Sequence, residues 1–342
     1  MILFLSKIFS PWLTAGVRLN IFTHQFTQNN LRIQGIILFV LINIIWGINF
    51  PLTEQTVMIL SPSVLIAMRF GVAALFFSFN LRHLNRLILR DGLLLGLLFF
   101  AYLATETIAL ESIHANRAAF MTSLSAILVP LLGLCFGRHL PLKTFLSAGL
   151  AIIGIGAMFW EGGALGIGDV LMLFGAIIYA VYTLILEKVA PQHSSTSLTS
   201  VQLCVVSVLG VIWSNTKLVA EFQAISDNWG ILLYLGLLGT AIVIWLQTVA
   251  QKWIKAEEAA LLYTLEPIFS AIFSFLLLGE QFGISGFIGA AFVLSAIVIS
   301  QNSLESESET EMPLVNTIVD DHIPADIGES IPAVLVALEA KL

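Results

Sequence analysis

From residue 33 onward the chain is a train of long apolar runs separated by short polar connections. The runs lie at about 33–52, 63–80, 92–110, 117–136, 143–160, 168–186, 197–214, 230–250, 258–279 and 282–300. Each is close to the ~20 residues that carry an α-helix across a hydrocarbon core. The connections, such as "LSPS", "GRHLPLK", "EGGALGIG" and "GEQFG", are rich in proline, glycine and polar residues. The runs lack the apolar/polar alternation of a membrane barrel strand. The pattern predicts an all-α polytopic membrane protein with ten transmembrane helices.

Composition sharpens this picture. Hydrophobic residues make up 58% of the 342 positions and charged residues 11%, against about 25% charged in a soluble domain. A water-facing surface needs more charge than this, so lipid is the expected partner of most of the surface. The net charge of −7 is concentrated at one end. From Gln301 onward there are nine acids and one lysine, whereas the first 300 residues carry 13 acids and 14 bases. Nothing forms the clustered basic face of a nucleic-acid binder. Residues 1–30 hold Lys7 and Arg18 and no acid, as an N-terminal cytoplasmic or targeting segment does. Residues 301–342 read as an acidic, disordered cytoplasmic tail. Cys135 and Cys204 both fall inside apolar runs and read as small buried apolar residues.

Basic residues set the expected orientation. Lys7, Arg18, Arg32, Arg82, Arg86, Arg90, Arg138, Lys143, Lys188, Lys252, Lys255 and Lys341 belong to one set of connections and the tails. Arg117 and Lys217 belong to the other. By the positive-inside rule, both termini are placed in the cytoplasm, with the bundle in the cell (inner) membrane.

The runs also repeat. A shift of 142 places "MTSLSAILVPLLGLCFGRHL" on "SLYTLEPIFSAIFSFLLLGEQF"-like sequence of the ninth run, with Gly137 on Gly279 and Leu124 on Glu266. A shift of 133 places "IIWGINFPLTEQ" on "IIYAVYTLILEK". The expected units are residues 31–160 and 161–300. Five helices is an odd number, so the second unit enters the membrane from the opposite side. Such inverted repeats rock about a site near the midplane, which is alternating access.

The first-helix string "NIIWGINFPLTEQ", the "ANRAAFMTSLSAILVPLLG" of the fourth run and the "AEEAALLYTLEPIFSAIFSFLLLGE" of the ninth resemble the EamA family of the drug/metabolite transporter superfamily. The resemblance covers about residues 33–300. It implies ten helices, a central cavity between the repeats and transport of amino acids, metabolites or drugs. It also implies that the small-residue fifth and tenth helices form a scaffold or homodimer face. One departure stands out: Glu266-Pro267 has Leu124-Ser125 as its first-half counterpart, so the halves are chemically unequal.

Polar residues inside apolar runs mark candidate chemistry, because each must face protein or water. Asn43, Trp46 and Asn49 recur at spacings of three on the first helix, and Tyr179 and Tyr182 lie on the sixth. Thr105 and Glu106 form a polar turn in the third run, and Gln247 stands beside Thr248, the repeat partner of Glu106. Arg69 lies in the second run. These predict substrate contacts at Asn43, Trp46, Asn49, Arg69, Thr105, Tyr179, Tyr182 and Gln247, with Glu106 and Glu266 coupling transport to a proton. Packing hydrogen bonds for the polar residues and snorkelling for Arg69 are the competing readings.

Enzymatic function is not expected. "GIGD" at 166–169 matches an aspartyl-protease string, but no second mid-run aspartate exists to share its proton. "GISG" at 283–286 matches a rhomboid string, but all six histidines lie in tails or connections, out of reach of a serine there. Neither a metal nor a cofactor motif appears. The sequence therefore predicts a secondary transporter of a small organic solute, in the export direction. A membrane scaffold or receptor acting through the acidic tail is the alternative.

Overall fold

A computed structural model describes the backbone of residues 2–79, 84–135, 137, 142–159, 166–278, 284 and 287–299. Side chains are described from residue 30 onward, except at 116, 117, 120, 158, 159, 274 and 276–278. The expected acidic tail, and the Gly-Glu pair at 279–280, lie outside the described residues.

Among the described residues every regular element is a helix. The first, α1, runs over Ile2–Val57, and its Asn30–Val57 portion is long and apolar enough to cross a membrane. Ser61 precedes α2 (Pro62–Phe77), which starts with proline in its first turn, where the missing N–H costs nothing. The freed Ser61 amide donates to Glu221 Oε2 at 2.9 Å, a cap supplied from a distant connection. Asn85 caps α3 (Arg86–Ala109) by accepting from the Ile88 amide at 2.8 Å. The fourth run folds as two pieces, α4 (Ala115–Ser123) and α5 (Ser125–Cys135). It is followed by α6 (Leu142–Phe159), α7 (Ile167–Val189) and α8 (Ser195–Ser214). Two short helices, α9 (Lys217–Ala220) and α10 (Phe222–Asp227), occupy the next connection.

The eighth run is α11 (Trp229–Gly236), a π-helical segment over Leu237–Ile242, and α12 (Val243–Ala250). The ninth is α13 (Ala256–Leu262), a 3₁₀ turn at Tyr263–Leu265 and α14 (Glu266–Leu278). A final helix, α15, covers Phe287–Ile299. Five helices have the length and apolarity of a membrane span: Asn30–Val57, Arg86–Ala109, Ile167–Gln192, Ser195–Ser214 and Trp229–Ala250. The others are shorter apolar helices or broken ones.

The breaks have local causes. Pro267 has no N–H to offer the carbonyl one turn back, and the chain tightens into the 3₁₀ turn just before it. In the fourth run Thr122 and Ser123 donate their hydroxyls back to the Ala118 and Ala119 carbonyls, a bond that bends helices. The 142-residue register places the two breaks side by side, although only one contains proline.

Packing repeats as well. Helix α2 packs on α8, its counterpart in the repeat register. The α3–α7 contact has its counterpart in α1–α12, and the α3–α8 contact in α2–α11. The α1–α14 contact likewise answers to α7 against α4 and α5. Several helix pairings thus recur between the two halves that the repeat register relates. Two glycines let backbones of different helices approach closely. A Cβ on Gly47 would stand 2.6 Å from Phe269 Cβ, and one on Gly154 would stand 2.6 Å from the Gly289 carbonyl oxygen. At Gly154 the small-residue helices α6 and α15 meet within the chain. Both cysteines are free, and Cys135 is exposed rather than buried: an apolar run turns part of its circumference outward, and Leu131 and Leu134 beside it are exposed too.

Candidate functional site

Helices α1, α2, α3, α12 and α14 and the π segment surround a cleft that is partly open to the surroundings. Helix α1 contributes Trp46, Asn49, Phe50 and Thr53 to its wall. These recur every three or four residues, so they form one stripe of the helix. Helix α3 presents Phe99, Tyr102, Leu103 and Glu106 by the same periodicity. Arg69 comes from α2, Gly239 from the π segment, and Glu266 from the first position of α14.

Charge is concentrated here. Arg69, Glu106 and Glu266 are 8%, 9% and 7% exposed, and Glu106 is the strongest countercharge acting on Arg69. Arg69 forms a direct ion pair with neither glutamate. Instead its Nη2 donates to the Gly239 carbonyl at 3.0 Å and its Nε to the Thr240 hydroxyl. Glu106 has Tyr102, one turn earlier on α3, beside it in the cleft wall. Glu266 makes no hydrogen bond among the described residues, and its surroundings are Glu106 and Arg69. Two carboxyl groups and one guanidinium thus share one cleft, one positive charge short of balance when both acids are ionised.

The Gly239 carbonyl is the structural centre of the wall. Besides Arg69 it accepts from Trp46 Nε1 at 3.2 Å and from Asn49 Nδ2 at 2.9 Å. A π turn interrupts the ordinary i→i−4 ladder, and such turns concentrate at functional sites. A side chain at 239 would collide with Asn49, since a Cβ would stand 2.5 Å from its Oδ1.

Below the cleft the bundle is filled by rings. Tyr102 lies against Tyr179 at 4.7 Å between centroids, Trp46 against Tyr263 at 5.8 Å and Phe99 against Tyr182 at 5.2 Å. Amides tie this layer together. Tyr182 donates to Gln202 Oε1 at 3.0 Å, and Gln247 Nε2 donates to the Tyr179 hydroxyl at 3.4 Å. Gln247 Oε1 and the Tyr263 hydroxyl are buried without a well-formed partner of their own.

The sequence-derived candidates therefore divide. Trp46, Asn49, Arg69, Glu106 and Glu266 line one cleft. Tyr179, Tyr182 and Gln247 belong to the aromatic layer beneath it. Asn43 donates to the Phe39 carbonyl of its own helix at 2.6 Å, and Thr105 donates to the Tyr102 carbonyl at 2.7 Å and packs on Gly175; neither borders the cleft. Phe50, Thr53, Phe99 and Tyr102 were legible as helical neighbours of Trp46 and Glu106. Gly239 and Thr240 were not, because a π turn has no composition of its own. Thr248, the repeat partner of Glu106, accepts a bond from Thr199 at 3.2 Å away from the cleft, so the site is asymmetric.

The end of the bundle opposite the cleft is tied by polar contacts. Arg32 of α1 meets Glu258 of α13 at 3.1 Å. Asp91 of α3 meets His193 at 2.8 Å, and Lys252 donates to the His193 carbonyl at 2.7 Å. Burial depresses the Lys252 ammonium below its ordinary pKa.

Comparison with known proteins gives the cleft its context. An uncharacterized transporter of Archaeoglobus fulgidus is 27% identical over 263 residues, covering 76% of this chain and 83% of that protein. A second uncharacterized transporter of the same organism is 25% identical over 214 residues, covering 61% of this chain and 76% of its own length. One crystal structure shares the fold at a TM-score of 0.61 and 14% identity, covering 80% of this chain and 96% of the other. The family model of EamA-like transporters matches twice, over residues 33–160 and 166–301, and the chain is a multi-pass membrane protein of the EamA-like transporter family.

Proposed function

We propose that this protein is a secondary transporter that exports a small organic metabolite by alternating access, with Glu106 and Glu266 coupling export to a proton. The observation that carries this reading is the cleft itself: two buried carboxyl groups and one buried guanidinium face one space among helices of both halves. Trp46 and Asn49 present an aromatic face and an amide to the solute. Tyr179, Tyr182 and Gln247 form the next layer along its path, and the polar contacts at Glu258 and His193 hold the far end shut. On this reading the helices form ten spans as two inverted five-helix repeats over 31–160 and 161–300. The chain then sits in the inner membrane with both termini in the cytoplasm and the cleft facing the other side.

The coupling logic is charge balance. A cleft holding one guanidinium and two carboxylates carries an excess negative charge, which is costly in a low dielectric. A proton and a solute ammonium each cancel it, so binding of one displaces the other. Export of the solute is then driven by proton entry.

Purified protein in liposomes, loaded with a defined mixture of amino acids and other small metabolites, tests this by mass spectrometry of the retained solutes with and without a pH gradient. A gradient acid on the cleft side should accelerate the loss of at least one solute. Glu266→Gln and Glu106→Gln should abolish that acceleration while leaving exchange of the solute measurable. Gradient-dependent movement unchanged in both variants would sink the coupling assignment, and no movement of any solute would sink the transport reading.

A further inference from the structure

Three donors converge on the Gly239 carbonyl: Trp46 Nε1, Asn49 Nδ2 and Arg69 Nη2. A carbonyl oxygen has two lone pairs, so this acceptor is oversubscribed and one donor is available to a better one. Arg69 has the most to offer. Its guanidinium carries five N–H groups in a planar fork, and two of them are committed, to Gly239 and to Thr240. Thr240 is fully buried and does not itself border the cleft. Its hydroxyl reaches Arg69 because the π segment carries it there. The charged groups facing Arg69 are Glu106 and Glu266.

We propose that Thr240 is a positioning residue that aims Arg69 at a solute carboxylate, so that the cleft takes zwitterionic solutes, bearing both a carboxylate and an amine, in preference to amines alone. This rests on the transport reading and specifies its substrate class. A guanidinium matches a carboxylate through two parallel N–H···O bonds, and a side chain already fixed at Nε loses less freedom in making them. The solute ammonium then lies among the two glutamates, in the place a proton takes when the solute is absent. An amine without a carboxylate leaves Arg69 unpaired beside a like charge.

Matched pairs of an amino acid and its decarboxylated amine test the proposal: leucine with isoamylamine, phenylalanine with phenethylamine, and lysine with cadaverine. Binding is read as ligand-dependent thermal stabilisation of the purified full chain, which reports affinity by mass action. In the unmodified protein at least one amino acid should bind about tenfold or more tightly than its amine. Thr240→Val, which keeps the shape and removes the acceptor, should weaken that amino acid about tenfold and leave the amine unchanged. Thr240→Ser should restore the difference. Arg69→Lys, which keeps the charge and removes the fork, should erase the preference, and it carries the comparison if Thr240→Val does not fold. Equal weakening of both members by Thr240→Val would make Thr240 merely structural and overturn the positioning role. Amines binding as tightly as amino acids, or no member of any pair binding, would overturn the zwitterion class. In that last case movement of other metabolites through liposomes still separates failure of this proposal from failure of the transport reading.

Discussion

Gly239 shows how much one position without a side chain can hold. Its carbonyl gathers donors from α1 and α2, and a Cβ there would stand 2.6 Å from Asn49 Nδ2. Gly239→Ala should therefore displace Asn49 and destabilise the protein by ~1–3 kcal/mol, the usual range for overpacking a close contact. A fall in the detergent melting temperature with loss of ligand stabilisation checks this; an unchanged melting temperature would mean that Asn49 moves aside freely. Glu106 and Glu266 stood out in the sequence because ionisable groups in apolar runs are expensive. Asn43 stood out for the same reason, but its Nδ2 donates within its own helix and its Oδ1 is buried without a hydrogen bond. Residue type flags a polar side chain in an apolar run, and only the position of its neighbours tells a site from a packing bond.

At the scale of elements, glycine lets helix backbones meet. Gly47 brings α1 onto α14, where a Cβ would stand 2.9 Å from the Phe269 carbonyl carbon. Since α14 carries Glu266 and α1 carries Trp46 and Asn49, this contact sets the width of the cleft. Gly47→Val should force the two helices apart, lower stability by at least ~1 kcal/mol, and impair transport without touching the solute. Transport with unaltered kinetics would show that the α1–α14 spacing does not matter. Helix boundaries were largely legible from the apolar runs, with the observed spans beginning and ending within a few residues of them. The interruptions were less so. Pro267 announces the 3₁₀ turn, whereas the break at Leu124 and the π segment arise from hydroxyl back-bonding and from neighbouring helices.

Across the whole molecule, the cleft lies toward one end of the bundle. Glu106 stands near the last turn of α3, and Thr53 near the last turn of α1. The contacts Arg32–Glu258 and Asp91–His193 tie the other end. Under alternating access these ties must break in each cycle, so Glu258→Gln combined with Asp91→Asn should favour the state open at the Arg32 end. A cysteine placed at Gln202, in a background lacking Cys135 and Cys204, should then react with a membrane-impermeant thiol reagent from that side several-fold faster. An unchanged labelling rate would show that the ties do not hold this end closed.

The sequence by itself determined that the chain is a helical membrane bundle, that it is duplicated, and which family it resembles. Those properties follow from hydropathy, run length and repeat register, which are sums over many residues and survive local exceptions. It also nominated Glu106, Glu266 and Arg69, because burying charge in lipid is too costly to be incidental. Tertiary structure alone decided that these three share one space with Trp46 and Asn49, while Tyr179, Tyr182 and Gln247 fill the layer below. It alone revealed the Gly239–Thr240 turn that holds Arg69. The reason is physical: a helix fixes which residues share its own face, but the meeting of faces from α1, α2, α3 and α14 is set by packing between segments far apart in the chain.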